Sequence, residues 1–313
     1  MFARKSWPTF DKKTKKTMNW QGVFPAVTTK FHQDGSLDMD MFFKNLDAQL
    51  EAGVHGIILG GTLGESSVLN QDEKISLTTK AVAYINGRVP VILNIAEGAT
   101  KDAIFWAAKA KDMGASGLMI LPPMRYSADH REVVTYFKAV ANSTDLPIMI
   151  YNNPIDYKTL VTLSMFEELA ECENIQAIKE STRDISNVTR MRNQFGDRFK
   201  LLCGVDTLAM EELVMGADGW VAGLVCAFPK ETVAVYNLVK AGKYEEALKI
   251  YRWFLPLLEL DIHPKLVQYI KLAEQMAGIG TEWVRAPRLT LVGEERVKVE
   301  NIIKRGLENR PLI

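Results

Sequence analysis

The 313-residue chain carries 38 Lys and Arg against 38 Asp and Glu, a formal net charge of zero. Nucleic-acid binders take much of their affinity from phosphate neutralisation and usually show a basic surplus, so the whole-chain balance argues against that class. Hydrophobic residues make up 47%, which fits a globular chain and excludes a disordered one.

Residues 1–19 are polar and basic, with Arg4, Lys5, Lys12, Lys13, Lys15 and Lys16 against Asp11. They lack the apolar stretch of a secretory signal and read as a solvated extension. Short, β-branched apolar runs then recur at 23–28, 56–59, 91–94, 117–121, 148–151, 177–180, 201–204 and 219–223. Most are apolar throughout, the pattern of strands covered on both faces. Helical stretches separate them. In 37–51, Met39, Phe42, Phe43, Leu46 and Leu50 fall at spacings of three and four. Asn70 is the expected cap of a helix with Asp72 and Glu73 in its first turn. Thr100, Ser127 and Asp206 are read as leading the helices 101–113, 128–142 and 207–215, the last ending at Gly216.

Eight strand–helix units over about 220 residues predict a closed (β/α)8 TIM barrel spanning 20–241. An open doubly wound sheet is the competing arrangement. It would normally carry a Gly-rich turn after the first strand, and here Thr29-Lys30-Phe31-His32 follows instead. Beyond Pro229 the strands stop. The segments 231–240, 244–260, 264–276 and 294–305 read as helices, the first closing the barrel and the rest forming a C-terminal helical appendage over 242–313. Pro256 should kink or interrupt the second. No run of about 18 apolar residues predicts a membrane span. Cys172, Cys203 and Cys226 form no Cys-x-x-Cys pair, which fits a reducing cytoplasm.

Catalytic groups of such a barrel sit at the C-terminal ends of its strands. The second strand ends in Gly60-Gly61-Thr62-Leu63-Gly64-Glu65-Ser66-Ser67. This loop could let a substrate carboxylate approach the backbone, or be only a tight turn. The fifth ends in Tyr151-Asn152-Asn153-Pro154 and the sixth in Ile178-Lys179-Glu180-Ser181. A lysine closing an apolar run is costly when charged, and the proton loss that relieves this makes a nucleophile. A lysine that snorkels to the barrel mouth is the plainer reading. Together the three segments suit a class I lyase. Lys179 would form an imine with a 2-keto acid, Tyr151 would shuttle protons, and the loop would clamp the carboxylate. Gly204 and Val221 are expected to make room in the pocket. Arg125 is a candidate contact for a polar substrate group, with Asn94, Asn153 and Asp156 as candidate hydroxyl or water contacts. Glu180 should point away from the barrel axis. Cys203 has no histidine to activate it and is read as a buried thiol. His32, His55, His130 and His263 show no metal spacing, so neither a metal nor an organic cofactor is expected.

The succession Gly-Thr-x-Gly-Glu-Ser, Tyr-Asn-x-Pro and Ile-Lys-Glu-Ser resembles the dihydrodipicolinate synthase / N-acetylneuraminate lyase family. The first strand, 24–31, and the stretch Val284-Arg285-Ala286-Pro287-Arg288-Leu289 resemble it too. The resemblance runs from Trp20 to the C-terminus. It implies a barrel with C-terminal helices, a homotetramer, a covalent imine on Lys179, and Thr62 as partner of Tyr151 and of the substrate carboxylate, beside Gly61 and Leu63. The chain also departs from the synthase pattern. Asp156 stands where the synthase places a carboxylate-holding arginine, and Leu63 where it has a second loop threonine. Met124 and Arg125 fall on a tyrosine pair, although a one-residue shift brings Tyr126 to that place. The stretch 121–126 with Tyr-Asn-Asn-Pro is most similar to hydroxyproline-breakdown members, which deaminate 1-pyrroline-4-hydroxy-2-carboxylate. The alternatives are a 2-keto-3-deoxy sugar-acid aldolase or dehydratase, then 4-hydroxy-tetrahydrodipicolinate synthase, then a non-catalytic ligand-binding relative.

Overall fold

A computed structural model describes residues 16–123 and 126–313. Most of the basic extension, together with Met124 and Arg125, lies outside them. Eight strands, β1 (Gly22–Pro25), β2 (Ile57–Leu59), β3 (Val91–Ile95), β4 (Gly117–Ile120), β5 (Ile148–Asn152), β6 (Ile175–Glu180), β7 (Lys200–Cys203) and β8 (Gly219–Ala222), form one sheet. All neighbours are parallel, in the order β1-β8-β7-β6-β5-β4-β3-β2. Between the two ends of that order, Ala26 bridges Ile58 in parallel, and the Val27 N–H donates to the Ile58 carbonyl at 3.1 Å. These bonds close the cylinder, so the expected TIM barrel is found. Nearly every strand residue is buried because side chains fill the interior on one face and helices cover the other.

Helix starts follow capping chemistry more closely than the sequence reading did. Asn70 and Glu73 form the full reciprocal capping box of Gln71–Ile85, as expected. Asp129, and not Ser127, caps His130–Ser143, because Glu132 lies three residues beyond Asp129 and completes its box. The helix Thr100–Asp112 starts after Ala99 with no side-chain cap. Asp206 caps nothing. It opens a 3-10 turn, Asp206–Leu208, ahead of the helix Ala209–Val214, and its carboxylate turns inward. Two short helices not expected from the sequence, Pro154–Tyr157 and Leu163–Leu169, connect β5 to β6.

The C-terminal part consists of Pro229–Lys240, Tyr244–Leu258, Leu266–Met276 and Gly293–Glu308. Pro256 lies inside the second of these. The α-helix runs two residues past it and then tightens into the 3-10 turn Glu259–Ile262. No helix among the described residues is long and apolar enough to cross a membrane.

Two fully buried ion pairs bind Leu266–Met276 to the barrel. Lys30 Nζ meets Glu274 at 2.8 Å, and Lys271 Nζ meets Glu65 at 2.6 Å. Thr28 also donates to Glu274 at 2.8 Å, while the Trp283 carbonyl accepts from Lys271 at 2.6 Å. The Arg285 N–H donates to the second oxygen of Glu65 at 3.1 Å. Burial pulls Lys271 down to about 8 against the Glu65 charge. Glu65 directly follows the Thr62 loop and takes a positive φ of 50°. The C-terminal helices therefore hold one wall of the barrel mouth in place.

Candidate active site

Lys179 lies on β6 directly opposite Tyr151 of β5. Its Nζ is 4.0 Å from the centroid of the Tyr151 ring. The residue is 7% exposed, and its amine has no hydrogen bond or ion pair among the described residues. Burial lowers its pKa, against the opposing pull of Tyr157, Asp261 and Asp206. A desolvated amine without a fixed partner gives up its proton readily and is then nucleophilic. Gly204 clears the space beside it. A Cβ at that position would lie 2.6 Å from Lys179 Cε and 2.1 Å from Ser181 Oγ.

The phenols are arranged differently from the sequence expectation. Thr62 Oγ1 bonds the Tyr157 hydroxyl at 2.7 Å and has no hydrogen bond to Tyr151. The Tyr151 hydroxyl accepts from Asn153 Nδ2 at 3.0 Å, and the same nitrogen donates to Asp156 Oδ2 at 2.7 Å. The reason is the unexpected helix Pro154–Tyr157, which brings Tyr157 edge-on to Tyr151 with ring centroids 5.5 Å apart. Burial pushes Tyr157 up to about 12 and raises Tyr151 as well. Both phenols are therefore protonated at neutral pH.

These groups open into a cavity of about 520 Å3 at the C-terminal ends of the strands, a size suited to a small-molecule ligand. Gly61, Thr62, Leu63, Asn94, Tyr151, Asn153, Asp156, Lys179, Gly204 and Val221 all line it. Arg125 lies outside the described residues. Tyr126 is 53% exposed and does not line the cavity. Glu180 faces away, accepting from the Thr182 N–H and from Asn187 Nδ2, each at 2.7 Å. Cys203 is buried, its thiol pKa raised by desolvation, and it donates to the Val205 carbonyl at 3.3 Å, as fits an inert thiol.

A profile of the dihydrodipicolinate synthetase family matches residues 19–306. The chain belongs to this family. It is similar to the 4-hydroxy-tetrahydrodipicolinate synthase of Methanococcus maripaludis, with 31% identity over 90% of this chain and 97% of that one. The enzyme of the same name from Exiguobacterium sibiricum is 32% identical over 87% and 92%. Among solved structures, a dihydrodipicolinate synthase from Bacillus anthracis superposes with a TM-score of 0.89 at 28% identity, covering 95% of this chain and all of that one. One from Aquifex aeolicus gives 0.88 at 28%, covering 94% and 99%. Members of the dihydrodipicolinate synthetase family are lyases that work through a Schiff base, and the barrel with C-terminal helices is the architecture they share.

Within that frame, several cavity residues had not been singled out from the sequence. Tyr157 was legible only as an aromatic residue after Asp156. Arg183 and Arg288 also line the cavity. Asp261 reaches it from the turn behind Pro256, a place that strand-end reasoning never inspects. Asp206, read as a helix leader, is fully buried near Lys179.

Proposed function

We propose that this family member forms an imine on Lys179 and deaminates 1-pyrroline-4-hydroxy-2-carboxylate to 2,5-dioxopentanoate and ammonia. One observation carries the reading. The unpaired, desolvated Lys179 amine stands against Tyr151, and Asp156 lines the cavity where the synthase pattern would place a carboxylate-binding arginine. A carboxylate there repels a second substrate carboxylate but can accept from a hydroxyl.

Lys179 adds to C2 of the cyclic imine. Tyr151 gives its proton to the ring nitrogen as the C2–N bond breaks, leaving a phenolate beside the protonated lysine imine. That phenolate takes the acidified C3 proton, and the resulting enamine expels the 4-hydroxyl. A proton shift then turns the C5 amine into an imine, whose hydrolysis releases ammonia. Hydrolysis at C2 frees Lys179. One water is lost and two are consumed. The imine is the electron sink, so no cofactor is needed. The substrate carboxylate is assigned to Gly61, Thr62 and Leu63. The main-chain N–H groups of Thr62 and Leu63 have no acceptor among the described residues. Asn153, Gly204 and Val221 shape the rest of the pocket, and Arg125 remains an assigned contact. We further infer a homotetramer in the cytoplasm.

The names carried by the relatives favour a second reading, 4-hydroxy-tetrahydrodipicolinate synthase. Arg183 and Arg288 would then have to replace the missing arginine. A 2-keto-3-deoxy sugar-acid aldolase or dehydratase would use the same lysine. A panel of the hydroxy-pyrroline carboxylate, sugar acids, and pyruvate with aspartate semialdehyde separates the three. Ammonia release from the first alone is expected. Turnover of only a sugar acid, or only condensation, would overturn the deaminase assignment.

A further inference from the structure

Two carboxyls meet over Gly223 beside Lys179, and they are held in opposite ways. Asp206 Oδ1 accepts from Trp220 Nε1 at 2.9 Å and from the Gly223 N–H at 3.1 Å. Its Oδ2 accepts from the same N–H at 3.2 Å and from the Leu224 N–H at 2.8 Å. Each such bond favours the ionised form. Asp261 approaches the same glycine from the cavity side, so closely that a Cβ on Gly223 would lie 2.1 Å from its Oδ1. It lines the cavity with Lys179 and has no hydrogen-bond donor among the described residues.

We propose that Asp261 is the catalytic acid that delivers a proton to the departing C4 hydroxyl of the substrate, while Asp206 keeps the charge. The assignment rests on the lysine-imine reading above and adds to it the group that handles the leaving oxygen. Environments that push two neighbouring titratable groups apart mark which is the acid and which the anion. Burial and the Asp206 charge hold Asp261 well above the usual carboxyl range, with Asp156 acting in the same sense and Lys179 and Arg183 opposing. Burial also raises Asp206, but its Trp220 and main-chain donors act against this. The step balances. The enamine pair forms the C3–C4 double bond, the C4–O bond breaks, the Asp261 proton joins the leaving oxygen as water, and the Asp261 carboxylate recovers a proton from solvent. The hydroxy-pyrroline carboxylate and a sugar acid that is dehydrated both lose a hydroxyl from C4, so the role does not depend on which of these two is used.

The test compares wild type with Asp261→Asn and Asp261→Ser in three assays: borohydride trapping of pyruvate on Lys179, turnover of the hydroxy-pyrroline carboxylate and of a 2-keto-3-deoxy sugar acid, and turnover of the 4-fluoro counterpart of the pyrroline. Fluoride leaves without a proton, so it needs no acid. The expected result is unchanged trapping, loss of hydroxyl elimination by about 100-fold or more, and near-wild-type fluoride release. Fluoride release also shows that the variants are folded. Elimination within a few-fold of wild type, equal loss on the fluoro substrate with unchanged thermal unfolding, or loss of trapping would each overturn the role. If wild type traps pyruvate but eliminates from neither hydroxyl substrate, Asp261 has no such step and the proposal falls while the lysine imine stands. If wild type fails to trap pyruvate, the lysine-imine reading falls and this one with it.

Discussion

Gly204→Ala perturbs the site without removing any catalytic group. The added Cβ would sit 2.6 Å from Lys179 Cε and 2.7 Å from Cγ. Carbon atoms pack at about 3.5–4.0 Å, so the lysine must retreat by roughly 1 Å. Gly204 is not among the residues with positive φ, so its backbone accepts alanine. The stability cost is that of a modest overpacking, about 1–3 kcal/mol. The kinetic cost is larger, because misplacing a reacting atom by about 1 Å can cost about 100-fold. The assay is the rate of borohydride-trapped adduct formation with pyruvate, read by peptide mass at Lys179, beside a thermal unfolding curve. A slowed adduct with a fall of only a few degrees in midpoint is expected. Trapping at the wild-type rate would refute the argument that Gly204 exists to seat the lysine.

Two further outcomes follow from buried groups. Tyr151→Phe should lose turnover by about 100- to 10,000-fold with an unchanged fold, since it removes the proton donor and leaves the ring; a variant of wild-type activity would remove the shuttle role. Glu212 is 1% exposed, and burial, with the Glu180 charge acting in the same sense, lifts its pKa to about 8 from the usual 4.5. A raised folded pKa means that the unfolded chain binds fewer protons between those values, so wild-type stability from this group falls as pH rises across that window. Glu212→Gln should therefore be more stable than wild type by a margin that grows from pH 5 to about 8 and then levels, measured by urea unfolding at each pH. A margin independent of pH would show that Glu212 does not titrate there.

The barrel was legible because its strands are covered on both faces and so read as unbroken apolar runs. All eight observed strands overlap the expected segments. Lys179 stood out for the same reason, as a lysine at the end of such a run, with Glu180 beside it turned to the other face. What sequence could not supply was contact between distant segments. Thr62 was paired with Tyr151, and only the turn of Pro154–Tyr157 shows that Tyr157 takes its hydroxyl. Asp206 carried the signature of a helix leader, yet its donors, Trp220, Gly223 and Leu224, come from the next strand and beyond. Asp261 belongs to a C-terminal turn whose relation to the mouth depends on how four helices pack. Capping errors were smaller and local: Ser127 and Asp129 are both good caps, and the acid at Glu132 decides between them.

The ion pairs of Glu65 with Lys271 and of Lys30 with Glu274 set an order for synthesis. A chain grows from its N-terminus, so Lys30, Glu65 and all eight strands leave the ribosome before either partner exists. Until Lys271 and Glu274 emerge, the barrel mouth carries charges destined for burial with nothing to neutralise them, and breaking such a pair costs about 3–5 kcal/mol. The nascent barrel must keep that mouth open and wet. The Thr62–Glu65 loop is therefore fixed beside Lys179 only once the chain has been made at least as far as Glu274.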